Sequence, residues 1–94
     1  MKSYLNLIKY ALQDNCLLSV WDCEEGGYLI KNSQSYKAVK DEIESMDFTN
    51  LVVRQSNGDY IGTASIILSN EDEEISDYTI CDYLESWANK HYFN

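Results

Sequence analysis

Apolar residues recur at three- and four-residue spacing in three stretches of the chain, and this is the period of one buried face of an α-helix. We therefore predict helices over residues 3–14, 34–46 and 79–93. Short polar side chains at the start of each stretch can accept hydrogen bonds from unpaired backbone N–H groups. The predicted N-caps are Ser3 for the first helix, Ser33 or Ser35 for the second, and Asp77 or Thr79 for the third.

The stretches between these helices are rich in β-branched and aromatic residues, which favour strands. The predicted strands are residues 16–22, 28–31, 50–55 and 60–69. Turn residues separate the members of each pair, and the second turn contains Asn57-Gly58, a strong hairpin signal because both residues tolerate a positive φ. Two hairpins are therefore expected, with Leu18 and Val20 on one face of the first strand.

The predicted order α-β-β-α-β-β-α indicates the α+β class. Two hairpins around a central helix favour one antiparallel four-stranded sheet with the helices packed mainly on one face. Residues 1–94 are too few for more than one domain. Gly62 inside the last predicted strand indicates a bulge or a close contact, and residues 70–77 are expected to form an acidic loop.

Charge is distributed unevenly along the sequence. Residues 1–40 carry four acids and five bases, whereas residues 41–94 carry twelve acids and two bases, which gives the net charge of −9. On the second helix, Lys37 with Asp41 and Lys40 with Glu44 have the i,i+4 spacing of weak ion pairs. A domain with such a field is expected to repel nucleic acids and anionic membranes and to attract basic surfaces.

The acids of the second half are dense enough to suggest a surface for a basic partner. B-DNA carries one charge per about 1.7 Å of axis, so a globule ~30 Å across spans about 18 charges. Twelve carboxylates on one surface would approach that density, which is the basis for expecting mimicry of DNA. The predicted contact residues are Asp41, Glu42, Glu44, Glu71, Asp72, Glu73, Glu74, Asp77, Asp82 and Glu85.

Catalytic and cofactor signatures are missing from the sequence, so we expect a non-enzymatic protein without a cofactor. The single His91 is expected to interact with a helix C-terminus. Cys23 stands between Asp22 and Glu24, whose charges should raise its pKa and make it a poor nucleophile. Consecutive acids such as 71–74 lack the alternating pattern of a calcium loop, so we assign no metal site, although Ca²⁺ binding stays open.

Direct nucleic-acid binding is not expected, because seven Lys and Arg residues are dispersed among sixteen acids. No apolar stretch is long enough for a membrane span, and no signal peptide fits the N-terminus. Three cysteines without C-x-x-C spacing are typical of reduced thiols in a cytoplasmic protein.

Three short segments resemble small acidic accessory proteins encoded by bacteriophages and prophages. The segments are residues 19–25 (SVWDCEE), 57–62 (NGDYIG) and 75–79 (ISDYT). The resemblance implies a phage setting, in which small acidic proteins block restriction enzymes, CRISPR complexes or host nucleic-acid-binding proteins. It implies no particular activity for this chain.

Together these observations predict an acidic inhibitor, resembling DNA in its charge, of a basic host nuclease or nucleic-acid-binding complex. The expected contact surface is residues 41–47 and 71–85. A toxin-neutralising immunity protein is an alternative of another class, since it would also be small and acidic. A structural accessory protein that dimerises through its tyrosine and tryptophan face is a third reading.

Overall fold

The computed structural model describes residues 2–70 and 74–92, and for residues 91 and 92 it describes the backbone alone. Its helices are α1 (Ser3–Gln13), α2 (Tyr36–Glu44) and α3 (Asp82–Trp87), and α3 continues as a π-helical segment, Ala88–Tyr92. Its strands are β1 (Leu17–Asp22), β2 (Tyr28–Ser33), β3 (Phe48–Arg54), β4 (Tyr60–Ile67) and β5 (Ile75–Tyr78).

The strands form one antiparallel sheet in the order β2-β1-β3-β4-β5. Helix α2 connects β2 to β3. Strand β3 pairs with the edge of β1 that β2 leaves free, so the β1–β2 hairpin and the β3–β4 hairpin form one continuous sheet. The prediction of an α+β fold with one antiparallel sheet is confirmed. Strands β2 and β5 are the two edges.

The predicted number of four strands is wrong, because a fifth strand lies within residues 70–77, which we expected to form a loop. Strand β5 pairs with β4 and gives the order α-β-β-α-β-β-β-α. Its sequence alternates poorly, since Ile75 is buried whereas both Ser76 and Asp77 are exposed. Backbone pairing with β4, rather than a periodic side-chain pattern, defines this short edge strand.

The helices cover one face of the sheet and enclose the core with it. From β1, Leu18 and Val20 point into this core and are fully buried, as their alternation predicts. Helix α1 contributes Leu7 and Ile8, and α3 contributes Trp87, all with no exposed surface. Burial of such apolar side chains is the main stabilising contribution in a domain of this size.

Gly62 is the point where α3 approaches the sheet most closely. A Cβ atom at this position would lie 2.8 Å from Leu84 Cδ1 and 3.3 Å from Cys81 Sγ. The expected close contact is therefore confirmed. A register shift also occurs beside it, between Val53 and Arg54 of β3.

The predicted caps are confirmed for α2 alone. There, the Ser35 hydroxyl accepts a hydrogen bond from the Ala38 N–H at 3.2 Å. Ser3 is instead the first residue of α1, and the N-cap Lys2 makes no side-chain capping bond. Helix α3 begins at Asp82 after the N-cap Cys81, which makes no side-chain capping bond. The Thr79 hydroxyl instead accepts a hydrogen bond from the Thr63 N–H of β4 at 3.1 Å.

The turn between β3 and β4 differs from the predicted two-residue form. Gln55 and Asp59 close it, with the Gln55 N–H donating to the Asp59 carbonyl at 2.7 Å. Gly58 has a positive φ of 95°, whereas Asn57 does not. The Asn57 side chain instead accepts a hydrogen bond from the Asp59 N–H at 2.9 Å, which stabilises the longer turn.

The face of the sheet opposite the helices is termed the open face. Cross-strand pairs continue across it from Trp21 to Asn50, Ser65 and Asp77. Trp21 and Tyr28 are 37% and 40% exposed, and their rings meet edge to face with centroids 5.0 Å apart. The open face therefore presents aromatic surface beside polar side chains, whereas the opposite face is closed by helices.

Candidate functional site

Two of the predicted contact acids on α2 are neutralised by lysines of the same helix. The Nζ atom of Lys37 lies 2.5 Å from Asp41 Oδ2, and that of Lys40 lies 2.7 Å from Glu44 Oε1. These are the i,i+4 pairs expected from the sequence. The Lys37 ammonium group holds the pKa of Asp41 below its ordinary value through a hydrogen bond, so this carboxylate is less available to a partner.

Glu44 also accepts a hydrogen bond from the Tyr4 hydroxyl of α1, at 2.7 Å. The bonds from Lys40 and Tyr4, in that order of effect, lower the pKa of Glu44. Burial raises the pKa of Tyr4, and the carboxylates of Glu44 and Glu74 raise it further. Glu74, the residue before β5, thus adds negative charge to the surroundings of Tyr4 on α1.

A second pair of contacts joins the end of β4 to the residue that precedes β3. Asp47 accepts hydrogen bonds from the Ser69 N–H at 2.8 Å and from the Ser69 hydroxyl at 3.1 Å. The Ile67 N–H donates to the Glu74 carbonyl at 2.8 Å. We term this region, comprising residues 4, 44, 47, 69 and 74, the acidic end of the molecule.

The remaining predicted contact acids lie in different places. Glu71, Asp72 and Glu73 fall outside the described residues, although Asn70 and Glu74 on either side of them are described. Glu74 itself is 7% exposed, so its side chain faces the protein rather than solvent. Of the described acids, Glu44 and Glu74 both act on Tyr4, whereas Asp47, which the prediction included only within the range 41–47, is bonded to Ser69.

Glu42 is half-buried on α2, and the three acids nearest the C-terminus lie away from the acidic end. Asp77 pairs with Ser65, so its side chain is on the open face. Asp82 is exposed at the start of α3, and Glu85 lies beside Tyr78, whose pKa is raised by burial and then by this carboxylate. The seven predicted residues that the structure describes are thus divided between the helical side and the open face.

A pocket of about 440 Å³ lies near the end of α1, between Asp14, Cys16, Cys81 and Tyr83. Within it, the Tyr83 hydroxyl donates to Asp14 Oδ2 at 2.8 Å, and Cys16 Sγ lies 3.6 Å from the same hydroxyl. Burial raises the pKa values of both Cys16 and Tyr83. A neutral thiol and a neutral phenol are weak nucleophiles, so this arrangement favours a packed hydrogen-bond chain over covalent chemistry.

Cys23 follows the expected direction for a different main reason. Its pKa is raised first by burial and only then by the charge of Asp22. Asp22 is directed toward the backbone, where it accepts hydrogen bonds from the N–H groups of Glu24 and Glu25 at 2.8 and 3.2 Å. The turn acids therefore shape the hairpin, and burial controls the thiol.

Among the side chains that the structure describes, no group of three or more Cys, His, Asp or Glu residues is arranged to hold a metal ion. The acid run in which Ca²⁺ binding was considered lies mostly outside this part of the chain. None of the helices in residues 2–70 and 74–92 has the length and apolar character needed to cross a lipid bilayer.

Sequence reasoning missed a cationic pocket on the open face. It has a volume of about 280 Å³ and is lined by Ser19, Tyr28, Lys31, Asn32, Arg54 and Gly58. We term it the β-face pocket. Its cations come from β2 and β3, which are far apart in sequence, so their meeting depends on the strand order. The sequence carried no simple signal for it, because strict alternation would put Tyr28 and Lys31 on opposite faces of β2, and the tyrosine beside Arg54, Tyr60, belongs to β4.

Comparison with known proteins identifies no relative: no protein-family model matches the chain, and neither a curated protein nor a solved structure matches it. The function must therefore be argued from the described geometry and from the charge of the sequence.

Proposed function

We propose that this protein is a non-enzymatic acidic binding protein that inhibits a basic, nucleic-acid-handling protein, such as a restriction nuclease or a CRISPR effector complex. The proposal includes the phage setting implied by the sequence resemblance. The partner's DNA-binding cleft would receive the acidic end in place of DNA. Attraction between opposite charges would accelerate the encounter.

The observation that supports this function is the convergence of acids from separate segments at the acidic end. Glu44 at the end of α2 and Glu74 before β5 lie in separate segments, yet both carboxylates act on Tyr4, and Asp47, three residues after Glu44, is bonded to Ser69 beyond the end of β4. In the sequence, three further acids, residues 71–73, stand between Ser69 and Glu74 of this region.

Salt bridges on α2 reduce the number of acids that are available to bind a partner. Asp41 and Glu44 are each neutralised by a lysine, and Glu74 is buried. Among the described acids of this end, Asp47 is the exposed carboxylate that forms no salt bridge, and Glu71, Asp72 and Glu73, which lie outside the described residues, add three formal charges to the proposed contact. This makes a compact contact at one end more consistent with the described residues than a face that runs through Asp77, Asp82 and Glu85.

The experiment removes charge from residues 71–73 and leaves the buried Glu74 unchanged. In the triple variant Glu71→Gln, Asp72→Asn and Glu73→Gln, Glu74 is retained. Purified restriction nucleases and CRISPR effector complexes are assayed for DNA cleavage with the wild-type protein and the variant, and association is timed by stopped flow. We expect wild-type inhibition to weaken with added salt, and the variant to associate about tenfold more slowly.

The matched control removes the same charge elsewhere, through Glu24→Gln, Glu25→Gln and Asp59→Asn in exposed hairpin turns. This control should associate nearly as fast as the wild type. Equal slowing in both triple variants would mean that net charge, not the acidic end, determines binding. Absence of inhibition across the basic nucleases would contradict the proposed function.

A further inference from the structure

The β-face pocket contains two cationic side chains, which is unusual for a protein with a net charge of −9, and one of them, Arg54, also donates to the Gly58 carbonyl at 3.4 Å. Lys31, Asn32 and Arg54 supply ammonium, amide and guanidinium N–H groups to its lining. Of the described residues that line the pocket, none is an acid. An oxyanion is the ligand class that such a set of donors suits.

The two cations of this pocket differ from those of α2 in their partners. In the described part of the chain, Lys31 and Arg54 form no salt bridge, whereas Lys37 and Lys40 each bind a carboxylate. Instead, Lys31 Nζ lies 4.8 Å from the centroid of the Tyr28 ring, and Arg54 Cζ lies 5.6 Å from that of Tyr60. Contact with an aromatic face leaves the positive charge free to attract an anion.

The buried hydroxyl group of Ser19 also lines the pocket. Ser19 is 2% exposed, and its oxygen accepts a hydrogen bond from the Asn32 N–H at 2.9 Å. A hydroxyl that accepts such a bond still has its own proton to donate. Asn32 adopts a positive φ of 51°, which places this N–H toward Ser19 and makes the local backbone specific to the pocket.

Beside the donors, the open face offers a surface for a planar group. Tyr28 lines the pocket, and Trp21 packs edge to face against its ring. Stacking of a nucleobase on an aromatic side chain contributes roughly 1–3 kcal/mol. The volume of about 280 Å³ is at the lower limit for ligand sites, so a small ligand is favoured.

We infer that the β-face pocket binds a nucleoside monophosphate, with the phosphate between Lys31 and Arg54 and the base against Tyr28 and Trp21. Arg54 suits the phosphate because its planar guanidinium can donate two parallel hydrogen bonds. One phosphate group matches two cations. A long nucleic acid brings many more phosphates, which the field of a protein with net charge −9 repels.

The experiment is a titration of the ¹⁵N-labelled protein with AMP, followed by amide chemical shifts. We expect saturable shifts confined to amides near residues 19, 28–32, 54 and 58. Inorganic phosphate should shift the same amides with weaker affinity, and adenosine should bind at least about tenfold more weakly than AMP because it lacks the charged group. Lys31→Gln and Arg54→Gln should each weaken AMP binding by about tenfold or more.

The matched control is Lys37→Gln, which removes the same unit charge from an exposed residue of α2. It should leave AMP affinity within about twofold of the wild type. Undisturbed amide spectra of the free variants establish that they fold. The inference is overturned if AMP causes no shifts at about 10 mM, if adenosine binds as tightly as AMP, or if Lys37→Gln weakens AMP as much as Arg54→Gln.

Two further results would overturn it by identifying another occupant. Tighter binding of an oligothymidylate than of AMP at physiological salt would make the open face a single-stranded nucleic-acid surface. A dimer in analytical ultracentrifugation whose interface covers Trp21 and Tyr28, unaffected by AMP, would assign the face to a second copy. Loss of AMP binding would leave nuclease inhibition at the acidic end unaffected, so the two proposals fail separately.

Discussion

The helical side and the open face of the sheet hold their cations in opposite ways. On α2, Lys37 and Lys40 bind carboxylates one turn away, and Glu44 is further bonded to Tyr4. On the open face, Lys31 and Arg54 lie over tyrosine rings without a described salt bridge. The chain as a whole is strongly acidic, but its net charge does not predict the local charge of either side.

The difference teaches that a formal charge count overlooks pairing. Lysines on the helical side mainly cancel acids of the same helix, which reduces the field that α2 presents to a partner. Lys31 and Arg54 on the strands form no described salt bridge, so their positive charge can still attract an anion. The two proposals follow this difference, with a basic partner proposed for the acidic end and a small anion for the β-face pocket.

The largest expected effect tests whether the two faces of the sheet differ in packing. Val53 and Val52 are neighbours on β3, with 0% and 8% of their surface exposed, and they point to opposite faces. Val53→Ala should reduce the free energy of unfolding by about 2–3 kcal/mol, because it leaves a cavity under the helices. Val52→Ala should cost about 1 kcal/mol or less, since water can enter the space it leaves.

Urea denaturation of both variants measures this difference. Similar costs for the two substitutions would indicate that the open face is packed against something in solution. Sedimentation of the wild-type protein would then show whether that partner is a second copy.

A smaller effect separates the hydrogen-bonded tyrosine of the helical side from the rest of the core. Tyr4→Phe removes the bond to Glu44 and should lower the free energy of unfolding near pH 7 by about 1–2 kcal/mol. Because the pKa of Tyr4 is raised in the folded chain, its contribution is complete below the ordinary value of 10.0 and declines as the pH rises above it. The gap between wild type and variant should therefore narrow above pH 10.0.

Denaturation curves at neutral pH and at about pH 11 provide the measurement. A gap that stays constant over this range would mean that Tyr4 contributes through packing alone. A gap that widens would contradict the direction of its pKa shift.

The smallest effect concerns the ion pairs of α2. Lys40→Gln should lower the thermal midpoint slightly, by less than Val52→Ala does, because exposed pairs are weak. The pKa of Glu44 is lowered in the folded chain, so the pair stabilises above the ordinary value of 4.5 and loses this effect as the pH falls below it. The two thermal midpoints should converge in acid. Equal differences at neutral and acidic pH would exclude an electrostatic origin.

Local sequence signals predicted much of the fold. The alternation at Leu18 and Val20 is a simple periodicity, and the cap at Ser35 is a contact within a short segment. Gly62 indicated a close contact, but not that its partner is Leu84 of α3. Strand β5 was missed because its pairing with β4 is a backbone interaction with little pattern of its own. Thr79 resembled a helix cap, but its hydrogen bonds with Thr63 extend the sheet instead.

The site was harder to predict than the fold, because it depends on which segments meet. The i,i+4 spacing revealed the pairing of Lys40 with Glu44, yet the bond from Tyr4 joins residues 40 positions apart. The β-face pocket likewise needs β1 between β2 and β3, so that Lys31 and Arg54 face one cavity. Composition gave no indication of this pocket, because its two cations are among only seven basic residues in a chain with sixteen acids.

Gly62 brings strand β4 into contact with helix α3, and the pattern of apolar residues does not reveal this contact. The methyl group of Leu84 occupies the volume that any larger residue would need at this strand position. In a fragment that ends before α3, water would fill the space beside Gly62. The backbone of β4 would then be exposed to solvent at this position. The C-terminal helix is thus an integral part of the folding unit rather than an appendage to a finished sheet.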